Sequence, residues 1–170
     1  MKTIENQLKI VKLSKIFRFL CAMMLVLIPM GAFSYIVGFI AYTVHLAFLS
    51  NSLIASAPYV SSIWDYVLIV SHVIQTIIFF VAVLNLYRFF KRLSKGLLFD
   101  AVSLSHLRSA GKCWLSSWFF TVGSALIRVY ALNSTPAFPY EGLLIGLAIL
   151  LVAWLFREAQ NLQDERQLTV

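Results

Sequence analysis

Charge is what this sequence has least of. Only 12% of its 170 residues are Asp, Glu, Lys or Arg, and just seven of them are acidic. A soluble domain carries about a quarter charged residues, because its surface must face water. The charges here are too few to cover a water-facing globule. Cysteine is scarce as well. Cys21 and Cys113 fall near the cytoplasmic ends of predicted spans and are expected as free thiols; neither has the partner spacing of a metal or redox pair. The acids lie mainly at helix ends and in the tail, with no pair placed for acid–base chemistry. The chain has no HExxH, no GxSxG and no glycine-rich phosphate loop, the arrangements that catalytic and phosphate sites require. No enzyme, cofactor or metal centre is expected. Internal repeats and low-complexity segments are missing too.

Apolar residues are abundant. They make up 61% of the chain, and mean hydropathy is +0.85. Lipid is the solvent that such a composition fits, provided that the apolar residues form stretches of about 20. They do. No charge occurs between Arg18 and Asp65, and a first span is predicted over 19–43. Pro29 is a candidate kink, tolerated where neighbouring helices satisfy the freed carbonyl. Gly31, Ser34, Gly38 and Ala41 recur at helical spacing as a small-residue stripe, which favours close helix packing. Ala55-Ser56-Ala57 has the small-x-small form of a signal-peptidase site. The apolar region before it far exceeds a signal peptide's usual 7–15 residues, so retention as a span is expected.

A second span is predicted over 66–87 and a third over 113–132. The fourth, over 138–156, has an uncharged run from Gly142 to Phe156 that rises only about 22 Å, against a core of about 30 Å. Its helix must therefore begin near Phe138 or continue past Arg157, with Tyr140 and Trp154 as interfacial anchors. The fold class predicted is an all-α, polytopic membrane protein with four transmembrane helices, forming one membrane domain over residues 1–170. Residues 1–18 read as an amphipathic interfacial helix, with Ile4, Leu8, Val11 and Ile16 roughly on one face. In the 88–112 loop Gly96 ends the second helix, Asp100 N-caps a short helix through Arg108, and Gly111 permits the turn into the third span.

The net charge of +7 is distributed as a topology signal. Residues 1–18, 88–112 and 157–170 hold 13 of the 14 Lys and Arg, leaving Arg128 as the exception. By the positive-inside rule these segments, and hence both termini, face the cytoplasm. Nucleic-acid binding by the chain itself is not expected, since the charges form no continuous face.

Several polar residues fall within the spans. Ser117, Thr121, Ser124 and Arg128 share one face of the third. Such a face can line a water path or serve as packing glue, and packing is preferred. Arg128 is expected near the outer interface, where it can snorkel and pair with Glu141. His72 and Gln75 share a face of the second span, but Asn85 is about 80° away, so no continuous polar track forms. His45 and His72 lie at comparable depth, yet two isolated histidines are a weak basis for haem or metal ligation.

The last fifteen residues, Phe156 to Val170, contain Glu158, Leu162, Glu165, Leu168, Thr169 and Val170. The central loop contains Phe90-Lys91-Arg92-Leu93-Ser94-Lys95-Gly96-Leu97-Leu98-Phe99, then Leu107 and Gly111. In these two stretches the chain resembles a bacterial family of small four-span membrane proteins, domain of unknown function 2975 (DUF2975). The family's members end in a span, an acidic helix and a leucine-threonine-valine terminus. Ala159 departs from the glycine common after the acidic residue. The resemblance implies an inner-membrane protein often encoded beside a small helix-turn-helix regulator. It makes Gly96, Phe99, Leu107, Glu158, Leu162, Glu165, Leu168, Thr169 and Val170 candidate partner-binding residues. A regulator that sequesters such a transcription factor is the expected function. A small transporter or channel using the polar face of the third span is the alternative. Lipid and a second copy of the chain are the other partners expected.

Overall fold

The computed structural model describes residues 2–52, 63–97, 100–132 and 140–168. Side chains are described for 8–41, 63–64, 66–97, 100–131, 140–162 and 165. The Ala55-Ser56-Ala57 site, Phe99, Phe138, Thr169 and Val170 lie outside the described residues, as do the side chains of His45 and Leu168. Among the described residues the chain is all-helical: α1 (Lys2–Ser52), α2 (Ile63–Leu93), α3 (Ala101–Leu132) and α4 (Tyr140–Leu168).

Three stretches are long and apolar enough to cross a membrane: Leu8–Ala41 in α1, Tyr66–Leu93 in α2 and Tyr140–Leu162 in α4. Helix α3 is not among them. The outward faces carry large apolar side chains, with Val26 61%, Phe33 69%, Ile77 58% and Leu151 58% exposed. Each would forfeit about 1.5–3 kcal/mol by facing water instead of an apolar medium. The buried core is correspondingly small, a cluster of Phe89, Leu93, Leu107 and Ala153.

Each helix packs on its neighbour in sequence, α1 on α2, α2 on α3 and α3 on α4, in an antiparallel row. Ring contacts set the first register: Phe17–Phe90 at 5.2 Å, Tyr35–His72 at 4.5 Å and Phe39–Tyr66 at 6.4 Å between centroids. Polar contacts set the second, through Gln75–Thr121, Ser71–Ser124 and Asn85–His106. The third is set by glycines. A Cβ on Gly111 would meet Leu150 at 2.7 Å, and one on Gly146 would meet Leu115 at 2.7 Å.

The turn from α2 to α3 follows the sequence signals at both ends. Gly96 has φ +82°, and its amide donates to the Leu93 carbonyl at 3.0 Å while that of Leu97 reaches Arg92 at 3.3 Å. This is a Schellman termination, whose left-handed residue favours glycine. Asp100 caps α3, its carboxylate accepting from the Val102 amide at 3.4 Å and from the Arg92 guanidinium. That guanidinium holds the Asp100 carboxyl below the usual carboxylate range.

Four expectations are revised. Residues 2–18 are not a separate interfacial helix but the beginning of α1, since no Gly or Pro interrupts the chain before Pro29. Leu8 and Ile16 of the expected apolar face remain exposed. The loop helix does not end near Arg108; it is the first part of α3, and Gly111 sits in mid-helix against α4. The glycines of the small-residue stripe of α1 make no close helix packing among the described residues. Gly31 and Gly38 have open space where a Cβ would stand, and Ser34 bonds back to the Met30 carbonyl, because ring contacts occupy the side of α1 that faces α2. Helix α4 meets its length requirement by running past Arg157.

Candidate functional site

The α2–α3 pair places a polar ladder in the middle of the row. Gln75 Nε2 donates to Thr121 Oγ1 at 2.7 Å, and Ser71 and Ser124 share a 2.9 Å hydrogen bond. The Thr121 hydroxyl also lies 3.1 Å from the Ser117 carbonyl. These contacts follow from the antiparallel register, which carries Ser71 and Gln75, four residues apart on α2, past Ser124 and Thr121, three apart on α3. Donors and acceptors that would each be orphaned in an apolar medium satisfy one another. Ser117 is buried, and Ser124 half-buried.

Beside the ladder lies a cavity of about 530 Å³ reached by all four helices. His72, Gln75 and Thr76 line it from α2, Ser117 and Thr121 from α3, and Glu141 from α4. Helix α1 contributes an apolar wall that includes Leu27, Gly31 and Ala32, and Trp114 and Trp118 complete the opposite side. Gly142 allows α4 to begin here, since a Cβ would stand 3.1 Å from Trp118. The His72 ring is fixed against Tyr35. The arrangement offers a carboxylate, an imidazole, an amide and hydroxyls on an otherwise apolar surface, as small-ligand cavities do.

Five of the seven intramembrane candidates therefore meet: Ser117, Thr121, Glu141, His72 and Gln75. Ser124 is committed to Ser71 away from the cavity, and Arg128 is exposed farther along α3. The expected Arg128–Glu141 pair does not form among the described residues. Glu141 adjoins Gly142, which packs on Trp118. Ten residues separate Trp118 from Arg128, about 15 Å along the helix. No group of three or more metal-ligating side chains occurs among the described residues.

The candidate partner-binding residues separate into two kinds. Leu107 is 4% exposed and belongs to the core cluster, so it holds α3 between α2 and α4 and is not available to a partner. Gly96, Glu158, Leu162 and Glu165 are exposed, with Leu162 at 54%. Glu158, Leu162 and Glu165 are spaced i, i+4 and i+7, on one face of α4. Gln160 lines a groove with Ala101, the first residue of α3. Residues 161–168 of α4 thus extend past α3 by about 12 Å.

Sequence reasoning missed His106, whose Nδ1 lies 3.2 Å from Asn85 Oδ1. Burial, then the charges of Arg88 and Arg92, push its pKa below the ordinary value. Twenty-one positions separate Asn85 from His106 across a turn, so no local pattern announces the pair.

An all-helical chain with a small core, apolar outer faces and three helices of crossing length belongs among membrane proteins. Within that class, the model for the family described as "Protein of unknown function (DUF2975)" matches residues 62–170. The chain belongs to the DUF2975 family. No curated protein and no solved structure matches it.

Proposed function

We propose that the chain is a four-span bacterial inner-membrane protein that holds a small helix-turn-helix regulator at the cytoplasmic surface. Helix α3 crosses with its neighbours because it packs antiparallel between α2 and α4, whose apolar stretches flank it. Its Thr121 and Ser124 turn inward to α2. The positive-inside bias places both termini and the α2–α3 turn in the cytoplasm.

The observation that carries the regulator reading is the projecting end of α4. It remains helical to Leu168, and its Glu158–Leu162–Glu165 face surrounds an exposed leucine with carboxylates. DNA-binding surfaces are basic because they neutralise phosphates. An acidic helix with an apolar centre complements such a surface and competes with DNA for it. The regulator is held while docked and released when the helix row repacks.

A photoreactive residue at position 163, activated in cells, tests this reading. A small DNA-binding protein should be crosslinked there, and the adduct should vanish in Leu162→Asp and Glu165→Lys. Removing residues 157–170 should free the regulator while the truncated chain stays inserted. Crosslinks only to this chain's own turn would overturn the reading.

The four-helix cavity favours transport or small-ligand sensing as a second reading. Glu141→Gln and Thr121→Val would then abolish flux or ligand response without loss of assembly. Unchanged flux or response in both variants would dismiss it.

A further inference from the structure

At the cytoplasmic end of the α3–α4 interface the two helices leave a groove of about 350 Å³. Arg108 and Lys112 from α3 and Arg157 from α4 converge on it, together with Ser105, Ser109 and Gln160. Among the described residues no acidic side chain lines it. The Asp100 carboxylate of the neighbouring turn is engaged by Arg92. Small side chains hold the space open: Ala153 is buried at its floor, and Ala101 sits at its mouth.

Three cations around one concave space repel one another, and a bound anion would remove that repulsion. The groove also lies where the apolar stretches give way to charge. Phe119, on the strip of α3 that carries Lys112, is 66% exposed, and Trp154, one turn from Arg157 on α4, is 56% exposed. A ligand with a phosphate head and apolar tails matches this order of cations, hydroxyls and exposed rings. Basic pockets between membrane helices on the cytoplasmic side take anionic headgroups in this way. Arginine and lysine supply charge-assisted hydrogen bonds to phosphate oxygens.

We propose that this groove is a binding site for the phosphate headgroup of an anionic phospholipid. The proposal rests on α3 and α4 crossing the bilayer, and it is independent of the regulator reading. Lipid bound here would bridge the two helices and set the angle at which the end of α4 projects.

The test is native mass spectrometry of the full chain from nanodiscs containing equal phosphatidylglycerol and phosphatidylcholine. The intact protein should retain phosphatidylglycerol selectively. Arg108→Gln/Lys112→Gln/Arg157→Gln should weaken retention about a hundredfold. Ser109→Leu keeps all three cations but fills the groove, and it should weaken retention at least tenfold. The charge-matched control Lys12→Gln/Lys91→Gln/Lys95→Gln should bind as the unmodified protein does. Circular dichroism must show unchanged helix content in each variant. Equal losses in the control and the triple variant, or full retention by Ser109→Leu, would reduce the effect to general surface attraction and overturn the proposal. Displacement of the lipid by excess inorganic phosphate would assign the groove to free phosphate and overturn the lipid assignment.

Discussion

Helix α1 meets α2 through rings, whereas α4 meets α3 through glycines. On the α1 side, Phe17–Phe90, Tyr35–His72 and Phe39–Tyr66 keep the backbones apart by the thickness of side chains. On the α4 side, Gly111 and Gly146 admit leucines of the opposite helix to within 2.7 Å of where a Cβ would be. Gly111 and Gly146 pack, whereas Gly31 and Gly38 of α1, and Gly123 of α3 itself, have open space where a Cβ would stand. Spacing alone therefore does not identify a packing glycine. A glycine acts as one only when the opposing helix carries a side chain at its level.

The largest effect expected is at this contrast. Gly146→Leu should cost about 1–3 kcal/mol, because a well-packed contact must open to admit the side chain. Gly38→Leu should stay within about 0.5 kcal/mol, as surface substitutions usually do. Reversible unfolding in mixed detergent measures both, and equal losses would erase the distinction between the two flanks.

The central α2–α3 pair is held by neither rings nor glycines alone, and its ladder should give a smaller effect. Gln75→Leu and Thr121→Val should each cost about 0.6 kcal/mol, with about 1.7 as an upper bound for interhelical hydrogen bonds in membranes. A double-mutant cycle should show that the two losses do not add, since one bond joins them. Additive losses would mean that the bond contributes nothing of its own.

The smallest effect concerns pH, at the end of the bundle that holds the α2–α3 turn. The pKa of folded His106 lies below its ordinary value of 6.5, first through burial and then through Arg88 and Arg92. The folded state therefore favours the neutral ring. Its contribution to stability is complete above 6.5 and declines as pH falls through the lower folded value. The melting temperature should decrease on acidification from about pH 7 to about pH 5, with a shallower slope in His106→Gln. Arg88→Gln should raise the His106 pKa in an NMR titration, because one repelling cation is gone. An unchanged slope would place the acid sensitivity elsewhere.

The candidate cavity was partly legible. Ser117, Thr121, His72 and Gln75 stand out in sequence because polar residues within apolar runs are costly unless partnered. Their partners were not legible. Asn85 and Gln75 diverge on α2, and that divergence argues against a continuous track. The structure instead divides the work, giving Gln75 to Thr121 and Asn85 to His106. In sequence, Glu141 is paired with Arg128 by their shared outer position. The glycine register moves it opposite Trp118 and into the cavity.

By itself, the sequence determined the solvent, the helical class, and the ends of the turn between α2 and α3. These follow from local chemistry: apolar runs require lipid, helices satisfy their own backbone there, and Gly96 and Asp100 act within a few residues of themselves. Tertiary structure alone decided which glycines pack, why Leu107 is buried, and how Arg108, Lys112 and Arg157 come to share a groove. Those outcomes depend on the axial offset between antiparallel helices. That offset is fixed by side chains meeting across them and leaves no periodic mark on either helix.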